Sequence, residues 1–356
     1  TRVEKRAYWD ETAYYGFSAS EIDVLEEATD RLHRLCLKAV EHVIQHRRYS
    51  ELAIPSSAVP LIERSWREER KQTRSVYGRF DFSFDGERTP KLLEYNADTP
   101  TSLLEAAVIQ WYWLQDCFRH NDQWNSLHER LVEAWKKLRN KASHPILHFA
   151  HMEDIEDEMN VAYLRQTADD AGWKTMGMRM DDLGWDSMAR TFVDQQNEPV
   201  HTMFKLYPWE YMVREEFAAH LEEAPSMRWI EPPWKMVLSN KGILAILWEL
   251  FPDEPCLLPT YFDGPRDMQS YVRKPLLSRE GANVEIVTPD GGEQRPGIYG
   301  EEGFVFQAYA PLPVFDGYRP VLGAWVVDGN AAGMGIREST SRITDNHSRF
   351  AAHLIL

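Results

Sequence analysis

Arg79, Asp81, Glu94 and Asn96 have side chains whose types and spacing could hold a metal ion beside a phosphate group. Phenylalanine alternates with polar residues from 79 to 85, which predicts a half-buried strand, and 91–95 predict a second strand after an Asp-Gly turn. The alternation places Arg79 and Asp81 on one face of the first strand, and Glu94 and Asn96 on one face of the second. Pairing of the two strands in register would bring all four side chains together.

Magnesium is the metal that this set of oxygen donors favours. Mg²⁺ commonly takes one or two protein carboxylates and completes its octahedron with water and phosphate oxygens. The guanidinium of Arg79 would suit negative charge that develops on a transferred phosphoryl group. The spacing is also compatible with an ordinary charged hairpin, so it predicts a site only together with other residues.

The segment that follows the hairpin predicts an anion-binding turn. Residues 96–102 (NADTPTS) are rich in helix-capping and turn residues, and the apolar run that starts at Leu103 predicts a helix. The N–H groups of a first helical turn, with threonine and serine hydroxyls beside them, attract anions. An ordinary N-cap is the alternative interpretation.

Two stretches of this region resemble a known family. Residues 79–81 (RFD) and 93–102 (LEYNADTPTS) are similar to the signature of the glutathionylspermidine synthases, whose synthetase module is an ATP-grasp ligase that forms C–N bonds. The resemblance extends from Tyr8 to Phe350, and it is strongest to stand-alone bacterial acid–amine ligases that lack the amidase domain.

The resemblance implies an α+β chain with an ATP-grasp fold in permuted order, in which the metal-binding hairpin precedes the nucleotide-binding lysines. The synthetase module would cover 1–356 in three approximate parts: a helical segment with the hairpin (1–140), a pre-ATP-grasp-like α/β part (141–235) and a nucleotide-grasping part (236–356). A strand–helix–strand pattern predicts a βαβ unit in the second part, and a predicted loop at 228–235 is the best candidate boundary. The hairpin must then pack against the distant nucleotide-grasping part.

ATP as co-substrate and Mg²⁺, expected as two ions, are the cofactors that the resemblance implies. From the residues alone, the polar loop 278–283 could fold over a triphosphate, although it lacks the Walker A pattern and a plain hairpin turn is the alternative. The main chain of a predicted strand at 304–309 could pair with an adenine edge. By resemblance, ATP would contact Arg79, Lys241, Lys274, Ser278, Gly281, Gln307, Tyr309 and Arg337, of which Arg79 and Arg337 would also act in catalysis.

The substrates that the resemblance implies are a small-molecule acid, glutathione-like or a peptide, and a polyamine-like amine. The family's polyamine contacts match best to Glu156 and Asp157, although an acid-rich helix N-terminus is the alternative. Leu206 and Tyr207 stand where similar sequences carry Thr and Trp, and the missing threonine argues against glutathione as the acid. The acid would meet the turn after the hairpin, at Asp98, Thr99, Thr101 and Ser102.

Composition argues against several classes of function. The 356 residues carry a formal net charge of −16, which disfavours nucleic acid or an anionic membrane as a partner, and no apolar run is long enough to span a membrane. The N-terminal residues show no signal-peptide pattern, and the cysteines form neither a disulfide framework nor a CxxC site. We therefore expect a cytoplasmic protein in which Cys36, Cys117 and Cys256 are all buried.

Several helices are predicted outside the hairpin, and three of them are tested most directly by the structure. The first runs from Ala19 to about Arg48, and its histidines (His33, His42 and His46) are expected at the surface or in a groove. The second covers 103–119, with its Trp-Tyr-Trp run at 111–113 in the core, and the third covers 210–223.

Together these residues predict an ATP-dependent acid–amine ligase that works through an acyl phosphate. Two alternatives stay open: a ligase that acts on a peptide or protein terminus, and a polyamine- or small-molecule-binding protein that has lost ligation. A protein-kinase interpretation is weaker, because the HRD and DFG patterns are absent. The identities of the acid and the amine and the oligomeric state are left open.

Overall fold

The computed structural model describes residues 8–71, 74–344 and 348–356. Its α-helices are Ala19–His46 (α1), Val59–Glu69 (α2), Gln110–Cys117 (α3), Leu127–Arg139 (α4), Ile155–Asp170 (α5), Trp209–Met212 (α6), His220–Glu223 (α7) and Ile243–Leu250 (α8). Its strands are Trp9–Phe17 (β1), Tyr77–Ser83 (β2), Lys91–Asn96 (β3), Ile146–His151 (β4), Lys174–Arg179 (β5), Gly184–Asp186 (β6), Thr191–Val193 (β7), Thr202–Leu206 (β8), Arg228–Ile230 (β9), Thr260–Tyr261 (β10), Tyr271–Pro275 (β11), Glu285–Val287 (β12), Glu293–Gln294 (β13), Phe304–Ala308 (β14), Arg319–Val327 (β15), Asn330–Ser339 (β16) and Arg349–Ile355 (β17).

The largest sheet joins the two ends of the chain. Its strands follow the order β1-β17-β16-β15-β2-β3, and all neighbours are antiparallel except β1 and β17, which are parallel. The predicted hairpin of polar residues is β2–β3, and β2 is buried over its whole length because it lies between β3 and β15. Strands from the first and last parts of the sequence therefore share one sheet.

The long first helix begins at a capping box and covers this sheet. The Ser18 hydroxyl accepts the N–H of Glu21, and the Glu21 carboxylate accepts the N–H of Ser18. The apolar face of α1, which includes Leu25, Leu32 and Val40, belongs to the main core together with residues of β15 and β16. The predicted amphipathic helix is confirmed over Ala19–His46, but His33 is buried rather than exposed.

A parallel sheet and an antiparallel sheet complete the framework. The parallel sheet has the order β5-β4-β8-β9, and its β4–α5–β5 segment confirms the predicted βαβ unit. The antiparallel sheet has the order β10-β14-β11-β12-β13 and carries Lys274 on β11 and Gln307 on β14. No helix among the residues described is both long enough and apolar enough to cross a membrane.

Two predicted elements of the middle part are wrong. The helix expected at 210–223 is divided into α6, a 3₁₀ turn and α7, because Glu215 adopts an extended backbone and its carboxylate accepts a hydrogen bond from the Tyr207 hydroxyl. The loop expected at 228–235 contains β9 and enters a buried 3₁₀ turn at Pro233–Val237. This segment is a packed edge of the parallel sheet and not an exposed linker.

The predicted helix at 103–119 is distorted and partly exposed. It contains a π-helical turn at Glu105–Ile109 before α3, and of its aromatic run only Trp113 is buried, since consecutive helical residues cannot all face the core. Trp111 and Tyr112 are 40% and 64% exposed. Cys117, at the end of α3, is also exposed, so the expectation that all three cysteines are buried is wrong.

A buried ion pair fixes the base of the β2–β3 hairpin. The Glu231 carboxylate accepts the N–H groups of Val76 at 2.9 Å and Tyr77 at 3.0 Å. The Lys235 ammonium lies 3.1 Å from Glu231 and donates to the carbonyl oxygens of Tyr77 at 2.9 Å and Ala97 at 3.0 Å. The pair thus binds Val76 and Tyr77 at the start of β2 and Ala97 directly after β3.

Replacing Lys235 by Met is expected to lower the free energy of unfolding by about 3–5 kcal/mol, because it leaves a buried carboxylate without its cation. Urea denaturation measures this change. The matched control is Glu249→Gln, which breaks an ion pair with Arg48 at a carboxylate that is 56% exposed; it should cost less than about 1 kcal/mol. Equal losses for the two variants would contradict a special role for the buried pair.

Candidate active site

The hairpin has the register that the sequence predicts. Arg79 pairs with Asn96 and Asp81 pairs with Glu94, and a register shift follows Asp81. Directly opposed residues of an antiparallel pair project on the same face. The four predicted side chains therefore converge, which confirms the geometric expectation.

Hydrogen bonds join these four side chains into one cluster. Arg79 donates to both carboxylate oxygens of Asp81, at 2.7 Å from Nε and 3.1 Å from Nη2. The Asn96 amide nitrogen donates to Asp81 at 3.3 Å and to Glu94 at 3.1 Å. The remaining guanidinium nitrogen of Arg79 donates to the carbonyl oxygen of Thr101 at 2.7 Å, which ties the cluster to the following turn.

A second guanidinium, that of Arg337 on β16, approaches the same carboxylate. Its Nη2 lies 3.4 Å from Asp81 Oδ2. Burial and the nearby positive charge of Arg79 lower the pKa of Arg337, with Asp81 and Glu94 opposing the change. Both guanidinium groups are positive, so an anion placed between them would be attracted by both and would reduce their mutual repulsion.

Lys241 and Lys274 join the hairpin to the last part of the sequence. The Lys241 ammonium lies 3.2 Å from Glu94, and it donates to the carbonyl oxygen of Ser278 at 2.6 Å. Lys274 donates to the carbonyl oxygen of Leu93 at 2.8 Å and to the Gln307 carboxamide oxygen at 2.6 Å. The predicted contact between hairpin and distant lysines is therefore present.

The pKa values of Lys274 and Glu94 are both shifted by their surroundings. Burial lowers the pKa of Lys274 to about 8, and Lys241 adds to this effect while Glu94 opposes it. Burial acts to raise the pKa of Glu94, but the ammonium groups of Lys241 and Lys274 more than offset it and hold that pKa well below its usual value. Glu94 is therefore an anion at neutral pH, and the cationic form of Lys274 lacks full compensation.

The loop 278–283 lies against the cavity in a conformation that requires glycine. Gly281 has φ +71°, and a Cβ there would lie 2.7 Å from Ile343 and 2.9 Å from the carbonyl oxygen of Thr344. The Ser278 hydroxyl is buried, and it has no hydrogen-bond partner among the described residues. An unpaired buried hydroxyl at the edge of a polar cavity is suited to a ligand oxygen.

The predicted pairing of the strand 304–309 with a nucleobase meets a constraint. The N–H of Ala308 donates to Pro259 at 2.7 Å, and that of Tyr309 donates to Ser270 at 3.1 Å. The Gln307 side chain is also occupied, by Lys274 and by the carbonyl oxygen of Leu92. These N–H groups and the Gln307 side chain are therefore bonded within the protein, and the Gln307 carboxamide oxygen holds the Lys274 ammonium. A flat ring would instead meet an apolar wall of the cavity, formed by Val272, Val284, Ile286, Ile343 and Tyr309.

Asp98 is placed differently from the other predicted residues. It is fully buried, and its carboxylate accepts from Lys205 Nζ at 2.7 Å and from the N–H of Trp209 at 2.9 Å. Burial raises the pKa of Asp98, although Lys205 opposes that shift. Its contacts hold the turn in place, and each of its carboxylate oxygens already accepts a hydrogen bond from within the protein.

Four residues of the acidic segment 153–158 form another wall of the cavity: Glu153, Asp154, Glu156 and Asp157. Asp154 caps α5 by accepting the N–H groups of Glu156 and Asp157, so the predicted role of acid at a helix N-terminus is also present. Burial, with Asp154 and Glu156 nearby, raises the pKa of Asp157 to about 6. Burial, followed by the charge of Glu105, raises the pKa of Glu156.

One cavity of about 600 Å³ brings these walls together, within the range of small-molecule sites. Of the predicted site residues, only Asp98 does not line it. The residues that do are Arg79, Asp81, Glu94, Asn96, Thr99, Thr101, Ser102, Glu156, Asp157, Lys241, Lys274, Ser278, Gly281, Gln307, Tyr309 and Arg337.

Sequence reasoning missed several residues of the cavity. Arg279 lies within the predicted loop, and its guanidinium donates to the Thr99 hydroxyl at 2.9 Å and to Glu210 at 2.8 Å, which links the loop to the turn after the hairpin. Its place between Ser278 and Gly281 was the available signal. Tyr8 and Arg342 also line the cavity, but no spacing in the sequence distinguishes them.

The donor set fits a hard cation of the magnesium type. It supplies two carboxylates, Asp81 and Glu94, and the carboxamide of Asn96, which are the ligand types that Mg²⁺ accepts while keeping water or phosphate in its other positions. Over the residues that the structure describes, no group of three His, Cys, Asp or Glu side chains could enclose a metal by itself. A site with few protein ligands suits a metal that arrives with phosphate oxygens.

The described residues form a mixed α+β fold, and one of its cavities joins a cationic cluster to an acidic wall. The chain belongs to the glutathionylspermidine synthase family, because the family model described as "Glutathionylspermidine synthase preATP-grasp" matches residues 1–356.

Similar proteins agree with this assignment. A Haemophilus influenzae protein described provisionally as an acid–amine ligase is 42% identical, over 97% of this chain and 90% of its own length. The Escherichia coli bifunctional glutathionylspermidine synthetase/amidase is 30% identical over 94% of this chain, but the match spans only 58% of that enzyme. Trypanothione synthetase of Crithidia fasciculata is 28% identical over 90% of this chain and 53% of its own length.

A solved structure supports the fold. A glutathione synthetase-like effector from Globodera pallida superposes with a TM-score of 0.58 over 97% of this chain and 89% of that protein, at 11% sequence identity. At this identity the likeness concerns the fold alone.

Binding of a polyamine is expected to strengthen as the pH rises through about 6, because the Asp157 carboxyl has its pKa there and attracts an ammonium only after it loses its proton. Calorimetric titration with spermidine between pH 5 and pH 7.5 measures this. Asp157→Asn should remove most of the dependence. Glu158→Gln, a change at an exposed neighbour outside the cavity wall, should keep it; a pH-independent wild type would contradict the expectation.

Proposed function

We propose that this chain is an ATP-dependent carboxylate–amine ligase that forms an amide bond and releases ADP and phosphate. The observation that carries the proposal is the contact between Lys241 and Glu94 at 3.2 Å, since it joins the oxygen-donor hairpin to the lysines within one cavity. The family and the names of its similar members support the reaction class.

The first step is transfer of the γ-phosphoryl group of ATP to the carboxylate of the acid. A carboxylate oxygen attacks phosphorus, ADP leaves, and an acyl phosphate forms. Arg79 and Arg337 flank Asp81 and would donate to the phosphoryl oxygens as charge develops. Lys241 and Lys274 would neutralise the triphosphate, and anion binding would compensate the buried charge of Lys274.

In the second step an amine attacks the acyl carbon and phosphate leaves. Glu156 and Asp157 would attract the amine as a cation, because both carboxylates line the cavity. Thr99, Thr101 and Ser102 would orient the acid through hydroxyl and N–H donors. Mg²⁺ held by Asp81, Glu94 and Asn96 would supply neutralisation of phosphate charge when it is bound.

The fold that suits this reaction is an ATP-grasp arrangement in permuted order. The hairpin precedes Lys241 and Lys274 in the sequence, and it meets them directly through the Glu94 carboxylate and the carbonyl oxygen of Leu93. The parallel sheet of β4, β5, β8 and β9 would be the pre-ATP-grasp-like part. The apolar wall with Val272 and Ile286 would take the adenine ring.

Replacing Asp81 by Asn or Glu94 by Gln is expected to lower ADP release at least about 100-fold, because each change removes a carboxylate that would hold the Mg²⁺ that neutralises phosphate charge. ADP release is measured with Mg-ATP, a panel of peptides and glutathione as acids, and polyamines as amines, and mass spectrometry identifies the product. Glu87→Gln is the control, since Glu87 is exposed beyond the turn of the same hairpin.

Three results would contradict the proposal. Full Mg-dependent turnover of both variants would remove the hairpin from the chemistry. Polyamine binding without calorimetric heat from Mg-ATP would identify a binding protein instead. Phosphate release without an amide product would show that the protein hydrolyses ATP and does not ligate.

A further inference from the structure

Glu105 is a buried carboxylate beside the cavity that has no part in the steps described above. It is 7% exposed, and its Oε1 accepts a hydrogen bond from the Tyr8 hydroxyl at 2.9 Å. Its Oε2 is buried without a hydrogen-bond partner in the described part of the chain. An unpaired oxygen of this kind costs free energy, so its presence requires an explanation beyond stability.

The backbone around Glu105 is distorted in two places. Glu105 is the first residue of the π-helical turn Glu105–Ile109, a form found as single turns and often at functional sites. Ser102, three residues earlier, has φ +65°, a left-handed conformation that is uncommon for a residue with a side chain. The N–H of Leu103 between them is satisfied by Asn160 at 3.0 Å. The Glu105 carboxylate that meets Tyr8 therefore belongs to a distorted helical turn.

Tyr8 lies close both to the guanidinium groups proposed to bind phosphate and to the acidic residues proposed to bind the amine. It lines the cavity and is 44% exposed, and its hydroxyl interacts electrostatically with Arg79 and Arg337 as well as with Glu105 and Glu156. Burial of the hydroxyl and the charge of Glu105 raise the pKa of Tyr8 well above its usual value. The hydroxyl therefore keeps its proton at neutral pH, donates it to Glu105, and can accept another from the cavity.

We propose that Tyr8 and Glu105 form a proton relay that serves the attacking amine, an inference that rests on the proposed function. The bound ammonium group gives one proton to the Tyr8 oxygen as the Tyr8 proton passes to Oε1 of Glu105, and the nitrogen lone pair that this frees forms the C–N bond to the acyl carbon. The C–O bond to phosphate breaks, and phosphate leaves with that electron pair and takes up the second proton of the nitrogen. The proton returns to water through Tyr8, whose side chain is partly exposed.

The two members of the relay have different roles. Tyr8 would touch the amine and is the catalytic residue, whereas Glu105 acts through it as a positioning residue and final proton acceptor. The charged groups that face the pair are Glu156, Arg79 and Arg337, and none of them lies within the Tyr8–Glu105 hydrogen bond.

The relay is tested with two nucleophiles of different proton demand. Tyr8→Phe and Glu105→Gln are compared with wild type in the presence of Mg-ATP, with glutathione and short peptides as acids, and with spermidine or hydroxylamine as the nucleophile. Spermidine nitrogens are protonated at neutral pH and must lose a proton, whereas hydroxylamine is largely uncharged. Both variants should lose about 100-fold in amide formation from spermidine at pH 7, and less at pH 9, while hydroxamate formation stays within about threefold of wild type.

Each result decides the question. Equal losses with both nucleophiles, or a loss with spermidine that does not change with pH, would show a structural role and overturn the relay. Tyr14→Phe, which changes a partly exposed tyrosine on β1 that packs against Trp113 and Phe118, should match wild type. If thermal melting shows that Glu105→Gln does not fold, Tyr8→Phe decides alone.

The failure of the relay and the failure of the proposed function give different results. If wild type releases ADP and forms hydroxamate while both variants keep full activity with spermidine, only the relay fails. If wild type releases no ADP with any combination of acid and nucleophile, the proposed function fails and the relay with it.

Discussion

The buried pair of Glu231 and Lys235 is the interaction on which the candidate site depends. A buried ion pair contributes little net stability compared with well-packed apolar side chains, because both charges lose their hydration. This pair instead satisfies backbone groups of Val76, Tyr77 and Ala97, which flank the two strands of the hairpin. A second buried pair, Asp98 with Lys205, secures the turn that follows. The backbone at the ends of β2 and β3 is therefore held by groups other than the polar side chains that face the cavity.

Charge is separated within the cavity, and this separation matters more than the net charge of −16. Two guanidinium groups and two ammonium groups surround Asp81 and Glu94, so this end attracts anions. The low pKa values of Lys274 and Arg337 arise because burial and like charges disfavour their cationic forms, and an anionic ligand would reverse both effects. Across the cavity, burial and like charges disfavour the anionic forms of Glu156 and Asp157 and raise their pKa values, so this wall would favour a cationic ligand. If an anion and a cation bound together, each would compensate the buried charges of one wall.

The hairpin register could be predicted because strand alternation fixes which residues share a face, and this prediction is confirmed. The contact of the hairpin with Lys241 and Lys274 was predicted from the resemblance, since no local pattern indicates a contact between segments so far apart in sequence. The roles of Glu231, Lys235 and Asp98 could not be predicted, because buried charges look like surface charges until their partners are known. The helix expected at 210–223 is wrong for a related reason: the pairing of Glu215 with Tyr207 overrides the helical pattern. The functional roles of the site residues stay predictions.

The end of β8 bears on the choice of acid. Leu206 is the last residue of this strand, is 2% exposed and lines the cavity at the carboxyl edge of the parallel sheet, where ligands of such sheets commonly bind. A leucine cannot donate a hydrogen bond, so a polar group of the ligand placed against it would lose its bond to water without replacement, at a cost of about 1–3 kcal/mol. The neighbouring Tyr207 hydroxyl is already bonded to Glu215 and does not supply the missing donor. An acid that presents an apolar group to this edge would bind better than one that presents a polar group, while the charged walls of the cavity would bind a carboxylate and an amine.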